Sequence, residues 1–297
     1  MKKLGLLLMI FCLSFSLTGC GNKEEKVLTI AYAPNESTEQ STDARNGLAK
    51  DLEETLGVEV KEIQATDYNA IVEALRTGKA DMAYMGALAV ALANERAQAE
   101  PIVMKAVDGD KEKAIYHSLL VTKSNRSDIN TIKDIKGKTM AFVDPESTSG
   151  NLVPTSEIIN AFSNEKLTSN TLHTNGKFFE AVSYSGKHQA GLQALIKGDV
   201  DVVPISDQIL ASEISNGNVK ESDIKIIHQS DPIPAEGFVV SKNMDKKMKQ
   251  QIQDFLIDYN NKDYFKMVIK EENARFVQAT IEDYQSVIKL NKTLNEE

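Results

Sequence analysis

One stretch gathers the side chains best suited to chemistry: Asp144-Pro-Glu-Ser-Thr-Ser-Gly-Asn-Leu-Val-Pro154. It follows a strand-like run at 139–143 and precedes a helical pattern over 151–162. Ser147, Thr148, Ser149 and Gly150 therefore fall at a helix N-terminus. The first N–H groups of a helix lack partners there, and the helix dipole leaves a partial positive charge. Three adjacent hydroxyls add donors at the same spot. Gly150 lets a guest approach the backbone closely, and Pro154 fits a first turn, where its missing N–H costs nothing. The chemistry is capture of a small anion without a fixed cation. A single hydroxyl would read as an ordinary N-cap; three in a row beside a glycine read as a cradle. No lysine follows the glycine, so this is not a nucleotide P-loop.

Such a cradle needs rigid elements to present it. From Val27 the chain alternates strand-like and helix-like runs. Strands are expected at 27–32, 58–63, 81–85, 102–107, 115–122, 139–143, 200–205, 224–229 and 237–241. Helices are expected between them and from about 244 onward. Leu48, Leu52 and Leu56 recur every fourth residue in a helix over 43–56 that Gly57 stops, and Asp67 caps a helix running to about Thr77 with Gly78 behind it. This alternation predicts an α/β protein with mostly parallel sheets.

A weak internal repeat sharpens the picture. The stretch from Asn69 to Asp81 can be laid over the stretch from Gln189 to Asp201, with Ala70/Ala190, Ala74/Ala194, Leu75/Leu195, Gly78/Gly198 and Asp81/Asp201 in agreement. Each copy is a helix, a glycine stop and a short strand, which implies two similar lobes. In a parallel α/β unit, helix starts and the ends of the following strands share the carboxyl edge of the sheet, where ligands bind. Tyr68 and His188 then lie on the ligand edges of their lobes. So do Tyr84-Met85-Gly86 and Ser206-Asp207-Gln208. Taken singly, Tyr84 equally suits a buried strand face, and a helix-start histidine or Lys187 equally suits solvent.

The chain has 297 residues, a formal charge of −9 and two cysteines. Its acidity excludes a nucleic-acid footprint and a polybasic lipid patch, and two cysteines exclude a disulfide scaffold. The start, Met1-Lys2-Lys3 and then an uncharged, mostly apolar run over 4–17, reads as a secretory signal at 1–19. It ends in Leu17-Thr18-Gly19-Cys20, which resembles a bacterial lipobox. Cys20 is then the lipidated first residue, 20–26 a polar tether, and the protein sits outside the cytoplasm on a membrane. The four histidines are scattered, and no HExxH or cysteine pair suggests a metal. Asp108-Gly-Asp110 reads as a turn, and no Gly-x-Ser-x-Gly elbow supports a hydrolase.

Beyond these readings, the sequence resembles the phosphonate- and phosphite-binding proteins of ABC importers, the PhnD family. The matching pieces are Asp67-Tyr68-Asn-Ala-Ile, Tyr116-His-Ser-Leu-Leu-Val, the segment from Asp144 to Pro154, His188 with Asp201 thirteen residues on, and Pro232-Ile-Pro-Ala-Glu236. The resemblance implies a two-lobed, type II periplasmic-binding-protein-like fold with a hinge and a central ligand cleft. One lobe is expected over 27–115 plus 236–297 and the other over 116–235. Ser147, Thr148 and Ser149 are implied to bind phosphoryl oxygens, with Tyr68, Tyr116 and His188 donating to the same oxygens. Glu236 fits a carboxylate near the remaining substituent, and a second falls at Asp207 or is lost to Gln208. An ionised Glu236 accepts from a P–OH and repels sulfate, which has no such proton. The implied partners are a small phosphorus oxyanion, a membrane permease and the lipid anchor; no cofactor, metal or nucleic acid is implied, and the chain is expected to be a monomer. A ligand-sensing receptor subunit, or an enzyme acting on a phosphoryl or sulfonyl compound, remain the alternative readings.

Overall fold

The computed structural model describes residues 27–34 and 39–296. The signal-like start, Cys20 and the tether lie outside them. The chain first lays down β1 (Val27–Tyr32), β2 (Glu59–Gln64), β3 (Met82–Met85) and β4 (Glu100–Val107). It leaves through β5 (Ile115–Tyr116) and builds β6 (Ser118–Lys123), β7 (Thr139–Phe142), β8 (Ala181–Tyr184), β9 (Val203–Ser206) and β10 (Ile224–Gln229). It returns through β11 (Ile233–Pro234) into β12 (Gly237–Val240), and β13 (Ala274–Gln278) follows. A six-stranded sheet has the order β13-β4-β12-β3-β1-β2, and a smaller one has the order β10-β6-β9. β7 and β8 pair beside the smaller sheet, joined to it by a bridge between Met140 and Val202.

Pairing is mixed rather than mostly parallel. β1 runs parallel to β2 and β3. β12, however, is antiparallel to β3 and β4, and β13 to β4. β6 is antiparallel to both its neighbours. Connectivity is the reason. The returning chain enters the large sheet at its crossing edge, where Gly237 pairs with Met85 at the end of β3, so β12 must run the opposite way.

The strand period of two places each side chain. Leu28, Ile30 and Tyr32 of β1 face one core, together with Leu48 and Leu52 of the helix Glu39–Leu56. Ala31 faces the other, with Ile71, Val72 and Leu75 of the helix Tyr68–Arg76. Each buried leucine or isoleucine stabilises this packing by roughly 2 kcal/mol.

The two repeat copies fold alike. The helices Tyr68–Arg76 and His188–Lys197 end before Gly78 and at Gly198, whose φ angles of 72° and 86° a side chain would strain. Asp81 and Asp201 then make the same bond. Oδ2 of Asp81 accepts from the Thr29 N–H at 2.8 Å, and Oδ2 of Asp201 from the Thr139 N–H at 2.9 Å. Each carboxylate satisfies the backbone of the neighbouring strand, so the strands begin after it, at Met82 and Val203. The two passages between the sheets lie side by side, with Ile233 of β11 paired to Tyr116 of β5.

Candidate functional site

The segment that drew attention in the sequence is more tightly built than one helix start. A π-helical turn, Thr148–Leu152, leads into the α-helix Val153–Ala161, so the helix expected over 151–162 forms, preceded by a widened turn. Pro154 explains the widening. It has no N–H to offer the Gly150 carbonyl, which accepts instead from the Val143 N–H at 2.9 Å. The reason for a glycine at 150 also differs from the expected one. A Cβ there would lie 2.3 Å from the Val143 Cβ, so the residue lets the turn pack on the end of β7. Gly150 is not among the walls of the cavity described next.

That cavity is small and narrow, far below the size of a drug-sized ligand pocket. Ser147, Thr148 and Ser149 form one side of it; Tyr68 and His188 enter from the two repeat helices, Tyr116 from β5, Tyr84 from β3, and Glu236 from the residue just before β12. Seven residues expected from sequence thus converge: Tyr68, Tyr116, Ser147, Thr148, Ser149, His188 and Glu236. Met85 and Gly86 also line it, as the carboxyl-edge argument required. Asp207 does not line it; its carboxylate turns to Nδ1 of His117 at 3.1 Å, and its N–H donates to the His117 carbonyl. Ser206 and Gln208 line an adjoining cavity instead.

The hydroxyls are oriented by bonds they already make. Ser147 Oγ accepts from the Gly150 N–H at 3.1 Å. Thr148 Oγ1 accepts from the Leu88 N–H at 2.8 Å, capping the helix Ala87–Ala97, whose own cap residue, Gly86, has no side chain to do so. A hydroxyl has one proton and two lone pairs, so accepting one bond leaves each able to donate as well; Thr148 and Ser149 also hydrogen-bond with the Tyr116 phenol. Ser149 Oγ lies 3.3 Å from Nε2 of His188, and its carbonyl is held by the Ser118 hydroxyl at 2.6 Å. Asp144, meanwhile, accepts from the N–H groups of Glu146 and Tyr68, the latter opening the helix Tyr68–Arg76. Glu146 pairs with Arg96 at 2.9 Å. The loop at 144–148 therefore caps two helices of the large-sheet side as well as its own.

Burial sets the protonation of the walls. It pushes His188 down to about 4, against the pull of Glu236 and a hydrogen bond to the Pro204 backbone, so the imidazole is neutral. Burial, reinforced by the Glu236 charge, holds the Tyr116 phenol well above its ordinary range, so it stays a donor. Glu236 is the charged residue in the wall. Burial opposes its ionisation, but Lys105 Nζ at 2.7 Å and the Tyr84 hydroxyl at 3.1 Å hold its carboxyl below the ordinary value. Lys105 was not singled out from sequence, although a lysine inside the apolar run Pro101-Ile-Val-Met-Lys-Ala-Val107 was the signal. The site can thus hold an anion with neutral donors and helix N-termini, its one carboxylate being already compensated.

Comparison with known proteins agrees in kind. Residues 30–284 match a family model described as an ABC transporter, phosphonate, periplasmic substrate-binding protein. The phosphate-import protein PhnD of Mycolicibacterium smegmatis is 29% identical over 218 residues, 73% of this chain; the match spans 66% of that protein, just under two thirds of its length. The phosphonates-binding periplasmic protein of Escherichia coli is 27% identical, with 84% of this chain and 70% of that one covered. The solved structure of PhnD1 from Prochlorococcus marinus in complex with methylphosphonate superposes with a TM-score of 0.77 at 21% identity, covering 92% of this chain and all (100%) of that one. At that identity the likeness shows the fold, the two-lobed type II architecture of periplasmic binding proteins.

Proposed function

This chain belongs to the periplasmic phosphonate-binding proteins of ABC transporters, and from that premise we propose that it delivers a small phosphorus oxyanion to a membrane permease. Its family consists of transport components rather than enzymes. The ligand class is phosphonate, phosphite or phosphate. The observation that carries this reading is the closed ring of donors: the Ser147, Thr148 and Ser149 hydroxyls, the Tyr68 and Tyr116 phenols and neutral His188 around one small cavity. Sulfonates and sulfate offer the same oxygens but never a P–OH, so ligands that can donate to Glu236 are favoured.

In this reading 27–115 plus 236–297 form one lobe and 116–235 the other, with the hinge at the paired passages β5 and β11. The arrangement of the two sheets supports that division. An anion seated on the 147–149 turn is then enclosed as the other lobe closes, and exclusion of water strengthens each hydrogen bond. The protein works outside the cytoplasm, as a monomer tethered through lipid on Cys20; the lipobox-like sequence supports that anchor. Among the described residues no helix is long and apolar enough to cross a membrane.

Titration calorimetry of the protein against phosphite, methylphosphonate and phosphate, with sulfate as control, tests the reading. Tight binding of at least one phosphorus compound with no response to sulfate is expected. Equal or tighter binding of sulfate would overturn it.

A further inference from the structure

Lys105 has no place in an anion site built only from neutral donors, yet it adjoins one. It lies in the middle of β4 and is 4% exposed. Its Nζ sits 2.7 Å from Oε2 of Glu236, 3.4 Å from the Ile269 carbonyl and 5.9 Å from the centre of the Tyr116 ring. Glu236 and Tyr116 wall the anion cavity. Lys105 and Glu236 also wall the adjoining cavity with Ser206 and Gln208. Glu236 is therefore the partition between two chambers, and Lys105 stands behind it.

A buried ammonium is costly unless a partner compensates it, and a well-packed aliphatic residue is often as stabilising as a buried ion pair. Packing alone thus gives no reason for a lysine at this strand position. Charge does. A lone carboxylate in the wall would repel an incoming oxyanion and attract an ammonium group carried on the same ligand. With Lys105 bonded to it, the wall is near neutral, and an ammonium would have to displace a lysine held on several sides.

We propose that Lys105 sets the charge the ligand's remaining substituent can carry. By compensating Glu236, it fits the site to phosphorus oxyanions whose fourth substituent is uncharged, and turns away those bearing an ammonium. This rests on the ligand class proposed above.

The test is calorimetry with methylphosphonate and aminomethylphosphonate on the wild type and on K105M, K105R, E236Q and the double variant K105M/E236Q. The wild type should prefer methylphosphonate. K105M should shift the ratio of the two affinities toward the amine by about tenfold or more, the size of a coupling between close charges. K105R, which keeps the charge, should hold the ratio near that of the wild type, and the double variant should recover methylphosphonate binding. E236Q should move the ratio the other way; if K105M fails to fold by circular dichroism, K105Q takes its place with the same expectation. A ratio unchanged within about twofold in the folded variants, with methylphosphonate still bound, overturns the role of Lys105 alone. A wild type that binds no phosphorus oxyanion overturns both this and the ligand class.

Discussion

At the scale of single residues, burial fixes the protonation of the cavity walls. His188 has an ordinary value of 6.5 and is pushed down to about 4 in the fold. The unfolded chain therefore takes up this proton first as the pH drops. The stability tied to a neutral His188 is fully present above about pH 6.5 and falls by roughly 3 kcal/mol as the pH approaches 4. Thermal unfolding between pH 4 and 7 should show a steeper acid loss for the wild type than for H188N, which cannot titrate. Parallel curves would contradict this origin of the shift. Residues with an unusual type in an unusual place were legible in the sequence: three consecutive hydroxyls, a tyrosine and a histidine at matched helix starts. Lys105 was not, because a single lysine in a strand carries no trace of the partner 131 positions away. The packing role of Gly150 was not legible, since only the fold brings Val143 against it.

At the scale of elements, the repeat was the most informative feature of the sequence, and its physical content lies in two aspartates. Asp81 and Asp201 each follow a helix and a left-handed glycine and each cap a neighbouring strand's N–H. Removing one leaves a part-buried donor unsatisfied, which costs about 1–3 kcal/mol. D81A should lower the melting temperature by several degrees. D201A should lower it further, because Asp201 also pairs with Arg126. Calorimetric unfolding of the two variants distinguishes this from a surface role, in which neither would move. Mixed pairing of the large sheet was not legible. Strand direction depends on where the chain re-enters, and local pattern holds no record of that.

For the whole molecule, the loop at 144–148 ties the two sheets together through backbone donors. Thr148 caps the helix Ala87–Ala97 at Leu88, and Asp144 caps the helix Tyr68–Arg76. In the proposed reading, closing the cleft and completing the anion site are then one event. T148V keeps the shape but loses both the acceptor for Leu88 and the proton for the ligand. It should weaken anion binding by about tenfold, whereas T148S should retain most of the affinity. Small-angle scattering with saturating anion should still show compaction in T148S but less of it in T148V; identical compaction in both would separate the cap from closure. The two-lobed plan was legible from alternation and repeat together. The cross-cleft caps were not, since their donors and acceptors are more than fifty residues apart.

In the proposed reading, that Lys105 is already spent on Glu236 has a consequence for release. Attraction between full charges fades slowly with separation, but a hydrogen bond from a neutral hydroxyl or imidazole is lost within a fraction of an ångström and a modest tilt. A guest held by such a ring feels the whole grip slacken almost at once when the cleft spreads slightly. In the proposed reading, unloading is then abrupt, and whatever prises the two halves apart need move them only a short way to set the cargo free.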